Sequence, residues 1–238
     1  MLSVVIPCFN EEKLIKKSVL EILKAIKFSK IRKYEIIIID DSSKDKSLNI
    51  AEKLSSKNKH IKIIKNKKNL GIGYNFFKGV DVSKQKYLML IPADNSHPAK
   101  EIFKILKLIN KKYDLITTYY SNKAERTLFR YIFTLIYTPI LNFLYGTNFP
   151  YFNGLTLYKT KDLKKIKFRN SSFSYQIEIF VYLFHMCKPK IKIIPTILKD
   201  RKKNSKAFKF KNSFLVIVSI SRIFFNSLNY RILNFFKK

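Results

Sequence analysis

Asp40-Asp41-Ser42-Ser43-Lys44-Asp45 follows the uninterrupted apolar run Ile36-Ile37-Ile38-Ile39. Two adjacent carboxylates at the end of a buried strand repel each other, a cost that persists only where something uses them. One of them can cap a following helix through its first free N–H groups, which leaves the other to accept from a ligand donor such as a base N–H. Leu90-Ile91-Pro92-Ala93-Asp94-Asn95-Ser96-His97-Pro98 has the same grammar: an apolar strand, a polar tip, then a proline. Its one carboxylate, Asp94, stands where a divalent ion handling phosphates would bind, although such an ion usually has more ligands. By residue type alone the tip is either a metal site short of one ligand or a turn. In Pro7-Cys8-Phe9-Asn10-Glu11-Glu12 a strand ends and a helix opens. Free N–H groups at a helix start suit an anion, whereas an acidic residue there stabilises the dipole or accepts from a base or ribose. An ordinary Asn cap with acidic first-turn residues accounts for the same letters. Asn69-Leu70-Gly71-Ile72-Gly73-Tyr74-Asn75 places two glycines at another helix start, where Gly lets backbone approach phosphate closely. The third glycine of a dinucleotide fingerprint is missing, and so is the lysine-serine end of a phosphate loop.

These stretches need elements to position them. Residues 2–6 form a short apolar run ended by Pro7, and Leu14, Ile15, Val19, Ile22, Leu23 and Ile26 recur at helical spacing over 11–28. Residues 34–39 read as a second strand, with the acidic stretch capping a helix through about Lys57. A strand at 61–64, a helix starting within 71–75 and a strand at 87–91 follow. Strands that are apolar throughout, separated by helices, predict an α/β fold with a parallel sheet covered on both faces. Right-handed crossovers then bring the carboxyl ends of the strands to one rim, and with them residues 7–11, 40–43 and 92–98. The second half differs. Residues 127–146 and 212–236 are apolar and aromatic, and the uncharged part of the first, 131–146, falls short of the roughly 20 residues of a spanning helix. On a strongly basic chain both segments read as helices lying in a membrane interface, with core or oligomer contact as the other reading.

The chain has 238 residues, 47% of them hydrophobic, with 5 Gly and 7 Pro, which excludes a disordered polymer and allows a substantial core. A net charge of +32 invites polyanions: nucleic acid, anionic lipid or phosphorylated substrates. Lysines occur in every helical stretch rather than in one cluster, so solvation accounts for part of that charge. Cys8 and Cys187 are too few for a disulfide framework and lack metal-ligand spacing, which implies a reducing compartment. The first residues enter a strand at once, and no secretory signal is expected before it.

In order, PCFNEE, IIIIDDSSKDKS, NLGIGYNFFKG and YLMLIPADNSHP resemble the inverting glycosyltransferases of family 2. The branch most similar is that of dolichol-phosphate mannose synthase and the bacterial polyprenyl-phosphate sugar transferases. Asn153-Gly154-Leu155-Thr156-Leu157-Tyr158 resembles the family's acceptor-loop motif. The stretch 174–186, carrying Glu178, looks like the helix after it, and residues 194–206 resemble the family's basic ending. The resemblance implies a GT-A type fold: a mostly parallel sheet flanked by helices. Residues 1–120 would form the nucleotide-sugar half, 121–206 the acceptor half, and 207–238 a C-terminal amphipathic helix at a membrane interface or an oligomer contact. It implies that Pro7, Phe9, Asn10, Glu11 and Gly71 line the nucleotide pocket and that Asp40 or Asp41 reads the base. Asp94 would match the second acid of an Asp-x-Asp that holds Mg²⁺ or Mn²⁺ on the diphosphate, and Arg201 and Lys206 a basic pair gripping phosphate. Where the branch usually reads Asp-Ala-Asp-x-Gln-His-Pro, this chain has Pro92 for the first acid and Ser96 for the glutamine. The acid before the acceptor-loop glycine is also absent, and Asn204 replaces a glycine, as in a divergent subgroup.

An alcohol acceptor would need a base, for which Glu178 is the candidate and His97 reads more as a turn residue. A lipid phosphate needs none, being largely ionised near neutral pH. The expectation is therefore an inverting transfer from a nucleotide-diphospho-sugar to a polyprenyl phosphate. The protein would act in the cytoplasm at the inner face of the membrane, in contact with its anionic surface and without a nucleic-acid partner. The alternatives are a polysaccharide or glycolipid acceptor, or a non-catalytic module binding anionic membrane or nucleic acid.

Overall fold

A computed structural model of the chain describes residues 1–121, 135, 137–143, 146–167, 169 and 174–199. β1 (Leu2–Cys8), β2 (Tyr34–Asp40), β3 (Ile61–Lys65) and β4 (Tyr87–Leu90) are joined by α1 (Ile15–Phe28), α2 (Ser47–Lys57) and α3 (Ile72–Val82). α4 (Ala99–Leu106), β5 (Leu115–Tyr120), β6 (Thr156–Lys159), the short α5 (Thr160–Leu163), α6 (Tyr175–Cys187) and β7 (Ile191–Thr196) follow. The strands make one seven-stranded sheet in the order β3-β2-β1-β4-β6-β5-β7.

Alternation along the strands divides the core in two. Val4, Ile6, Ile36, Ile38 and Met89 face one way and pack with Ile15, Val19 and Ile22 of α1 and Ile102 and Ile105 of α4. Val5, Ile37, Ile39, Leu88 and Leu90 face the other way, against Phe76, Phe77 and Val80 of α3 and Ile177 and Phe180 of α6. A strand buried on both faces must be apolar at every position, which is why these runs are continuous. α3 lies so close to β1 that a methyl on Gly79 would sit 2.4 Å from Val5 Cγ2.

β1 pairs in parallel with β2 and β4, and β2 with β3. The departure from an all-parallel sheet is β6, which runs antiparallel to both β4 and β5, while β5 and β7 are parallel. β5 and β7 therefore point the same way as β1 to β4, and their carboxyl ends, Tyr120 and Thr196, reach the same rim. β6 starts at that rim and ends at the opposite one. The connection 121–155 thus leaves and re-enters the sheet on the rim where 7–11, 40–43 and 92–98 lie.

Two sequence expectations on local structure fail. Residues 11–14 form a turn in which Glu11 O accepts from Leu14 N and Ile15 N, and α1 begins at Ile15 rather than at 11. The acidic stretch 40–43 caps no helix: α2 begins at Ser47, and its N-cap position, Lys46, makes no side-chain capping bond. Asp41 is drawn instead to partners distant in sequence, and Asp40 to Ser43 N within its own loop. Of the two apolar segments, 212–236 lies outside the described residues and 127–146 mostly does. Within it, 137–143 is helical, with Leu141 buried but Leu135, Ile140 and Phe143 exposed, Phe143 at 86%. Among the described residues no helix is long and apolar enough to cross a membrane.

Candidate functional site

The rim is stitched together by hydrogen bonds between the loops after β1 and β2. Asn10, in the left-handed region at φ 55°, donates from its N–H to Ser43 Oγ at 3.0 Å, and its Oδ1 accepts from Lys44 N at 2.7 Å. Glu11 N donates to Ser47 Oγ at 2.7 Å and Glu12 N to Asp45 Oδ2 at 3.1 Å, while Glu12 Oε2 accepts from Lys46 N at 3.0 Å. The two motifs thus form one unit. Beneath it lies the buried Cys8 thiol, its pKa pushed up to about 12, chiefly by burial, with the charges of Asp40, Glu11 and Asp45 adding to the rise. A protonated thiol here is structural, and the pocket around it is electronegative.

The paired carboxylates have separate tasks. Asp41 Oδ1 accepts from Asn66 Nδ2 at 2.8 Å and Leu70 N at 2.9 Å, and Oδ2 accepts from Gly71 N at 2.9 Å. Asn66 also donates to Asn75 Oδ1 at 2.7 Å, so Asp41 ties the segment before α3 to the end of β2. Gly71, at φ 87°, therefore spends its N–H on Asp41, not on a phosphate. Asp40 Oδ2 accepts from Ser43 N at 3.2 Å, but Asp40 Oδ1 is buried without a hydrogen-bond partner among the described residues. A buried acceptor left open at a strand's carboxyl end is what a ligand donor would satisfy. Phe9 lies on the same rim with 39% of its surface exposed.

At the next strand over, Asp94 Oδ1 accepts from Ser96 N at 3.0 Å and from Ser96 Oγ at 2.5 Å, closing the tip on itself. Asn95 adopts φ 53°. The tip is held from outside by the chain leaving β7. Lys199 N donates to Ser96 O at 2.9 Å, and Lys199 Nζ bridges Asn95 Oδ1 at 3.1 Å and Glu21 Oε1 at 2.8 Å. Ile197 N donates to the buried Glu101 Oε2 at 3.1 Å. Among the described residues no three His, Cys, Asp or Glu side chains gather into a metal cluster.

His97 is buried with Nδ1 unpartnered among the described residues, and its ring lies 6.1 Å from that of Tyr120, which in turn meets Tyr151 at 5.3 Å. Burial lowers its pKa to about 4, so the ring is neutral at pH 7 and a weak proton acceptor. Gly154 fits against β5 so tightly that a methyl would sit 1.8 Å from Thr118 O. Gln176 Nε2 of α6 donates to Gly154 O at 2.6 Å and Thr156 Oγ1 at 2.9 Å, which brings the first turn of α6 to the rim. Two residues on, Glu178 is buried. The Tyr137 hydroxyl is pushed up to about 12, by burial first and then by the Glu178 charge.

The structure therefore gathers Pro7, Phe9, Asn10, Glu11, Asp40, Asp41, Gly71 and Asp94 on one rim, with Glu178 on the helix that approaches it. Arg201 and Lys206 lie outside the described residues. Sequence reasoning missed Asn66, Asn95, Lys199 and Glu21. The two asparagines carried a usable signal as turn residues between apolar elements, but the Lys199–Glu21 pair spans 178 residues and has none.

The three-layer fold, with one reversed strand among the described residues, is of the GT-A type. A solved structure of glucosyl-3-phosphoglycerate synthase from Mycobacterium tuberculosis, in complex with Mn²⁺, UDP-glucose and phosphoglyceric acid, aligns with it at a TM-score of 0.64. That alignment has 14% identity over 86% of this chain and 72% of the other. The model of the glycosyl transferase family 2 matches residues 3–167, and the chain belongs to that family. An uncharacterised protein of Methanocaldococcus jannaschii is 30% identical over 203 residues, 80% of this chain and 83% of its own. The undecaprenyl-phosphate 4-deoxy-4-formamido-L-arabinose transferase of Photorhabdus laumondii is 31% identical over 129 residues, covering 54% of this chain and 39% of that enzyme. The chain spans well under half the length of that relative.

Proposed function

We propose that the protein is an inverting glycosyltransferase that moves a sugar from a nucleotide-diphospho-sugar to a polyprenyl phosphate. The observation that carries the donor half is the open, buried Asp40 Oδ1, on the same rim as exposed Phe9 and Asp94. Asp40 accepts from a base N–H, Phe9 packs on the base, and the diphosphate lies toward Asp94. No group of three His, Cys, Asp or Glu gathers there among the described residues, so a divalent ion would be held by Asp94 with phosphate and water supplying most of its ligands, and it would neutralise charge on the departing nucleotide. The acceptor oxygen attacks the anomeric carbon from the side opposite the nucleotide. The new C–O bond forms as the bond to the diphosphate breaks, and the electron pair leaves with the diphosphate oxygen.

His97, with a pKa of about 4, is a poor base at neutral pH, which leaves the buried Glu178 as the candidate base for an alcohol acceptor. A phosphate acceptor arrives ionised and needs no proton removed. Exposed Phe143, Ile140 and Leu135, in the connection that leaves and re-enters the sheet at that rim, favour approach from a membrane surface, as for a cytoplasmic enzyme at the inner face. The test is incubation of purified protein, with Mg²⁺ or Mn²⁺, against a panel of nucleotide-sugars and polyprenyl phosphate. Sugar-lipid is the expected product, and Asp94→Asn should abolish it. Glycosylation of a soluble alcohol acceptor with no sugar-lipid formed would overturn the acceptor assignment; full turnover of Asp94→Asn in chelator would overturn the metal.

A further inference from the structure

The rim opposite the donor site holds a feature that the transfer chemistry does not use. A cavity of about 600 Å³ opens between the end of α3, the start of β4 and the β6–α5 junction. Ser83, Lys84, Gln85, Lys86, Lys159, Thr160, Lys161 and Lys164 line it, five of them cationic. That volume falls within the range of small-ligand sites. The four-residue strand β4 stands between the cavity and the tip that carries Asp94, a separation of about 13 Å or more at ~3.3 Å per residue.

The cations are mostly uncompensated. Lys159 is paired with Asp114, whose other oxygen accepts from Lys190 N. Lys164 Nζ donates to Ser83 O at 3.1 Å, which holds the two walls together but cancels no charge. Lys86 Nζ lies 5.4 Å from the Tyr87 ring centroid. Among the described residues, Lys84 and Lys161 have no carboxylate within ion-pair distance. The nearby carboxylates are already engaged: Asp162 with Lys165, and Glu35 with Ser3, Lys62 and Lys84 N. The wall also contains a hydroxyl, Thr160 Oγ1, that is buried with no partner among the described residues. Buried hydroxyls are normally satisfied, so a leftover donor in a wall lined by lysines is matched by an anion rich in acceptor oxygens.

We propose that this cavity is a binding site for a phosphate group, separate from the donor rim. Lys84, Lys86, Lys161 and Lys164 supply the charge and Thr160 a hydroxyl. A phosphate offers more acceptor oxygens and more negative charge to converging donors than a carboxylate does. The phosphate is either a free ion or a lipid headgroup, and the two sources are separated by experiment.

The full chain is titrated with inorganic phosphate at low salt by calorimetry. In parallel it is floated with phosphatidylcholine vesicles with and without phosphatidic acid. The charge-matched variants are the pocket pair Lys84→Gln/Lys161→Gln and the exposed α2 pair Lys53→Gln/Lys57→Gln. The expected result is a loss of about tenfold in affinity for the pocket pair and less than about twofold for the α2 pair. Binding of the free ion identifies a soluble phosphate, and binding only to phosphatidic acid vesicles identifies a headgroup. Equal losses in the two pairs, or no binding to either probe, overturn the site. A UDP-induced thermal shift measured in every variant reports the donor rim independently, so failure of the pocket and failure of the transferase reading are told apart.

Discussion

Replacing Asp41 by asparagine separates a structural carboxylate from a ligand-reading one. The Asp41 carboxylate receives three donors at 2.8–2.9 Å, from Asn66 Nδ2, Leu70 N and Gly71 N, and is buried. The amide retains one oxygen but turns an NH₂ toward a buried N–H, so one charge-assisted bond becomes a donor facing a donor and the others weaken. A hydrogen bond to a charged group contributes about 1.5–3 kcal/mol, and the net loss should be about 3 kcal/mol. For a chain of this size Tm moves about 2–4 °C per kcal/mol, which gives a fall of about 6–12 °C. Asp40→Asn loses far less structure, because Asp40 Oδ2 has one long bond at 3.2 Å and Oδ1 has none. Its Tm should drop by about 2–4 °C, at about 1 kcal/mol. The nucleotide responses invert that order. UDP should still raise the Tm of Asp41→Asn but not that of Asp40→Asn, as measured by differential scanning fluorimetry with and without UDP. An Asp41→Asn protein of parental Tm that no longer responds to UDP would refute the division of labour between the two acids.

Two further outcomes follow from burial. Unfolded histidine titrates near 6.5 and His97 at about 4, so between those values the unfolded chain binds a proton that the native chain refuses. This contribution to stability is complete above about pH 6.5 and is lost as pH falls toward 4. The loss is about 3 kcal/mol at most, given ~1.4 kcal/mol per pKa unit. Urea unfolding at pH 7.5 and 4.5 should show a shallower pH dependence for His97→Gln than for the parent, and an unchanged slope would sink the assignment. Gly154→Ala places a methyl 1.8 Å from Thr118 O, and the displacement should cost about 1–3 kcal/mol and weaken the Gln176 bond to Gly154 O. Acceptor KM should rise more than the UDP response falls; a neutral Tm would contradict the packing.

β1, β2 and β4 were legible because burial on both faces demands apolar residues, and Ile36-Ile37-Ile38-Ile39 has no other economical reading; β3, at the sheet edge with Lys62 and Lys65 exposed, was legible from its short apolar run. The reversed strand was not. Thr156–Lys159 is four residues long, and its direction is set by pairing with β4 and β5 rather than by its own letters. At the site, the positions 7–11, 40–41 and 94 were readable as polar residues stranded at the ends of apolar runs. Their roles were not readable, because what Asp41 does depends on Asn66, Leu70 and Gly71, some 25–30 residues away. A helix cap is a local guess, and here a non-local partner outcompeted it.

The hairpin-like pairing of β5 with β6 places both ends of the connection 121–155 on the donor rim. Loop closure costs only about 0.6 kcal/mol for each doubling of length, and neither strand's register with its other neighbour depends on what lies between them. Leu141, Phe149 and Phe152 are buried and Gly154 packs against Thr118 O, so the length of the span can vary only where these anchors are kept. On the proposed reading, the donor end is written into strand ends and the acceptor end into a span anchored at both of its ends on that rim.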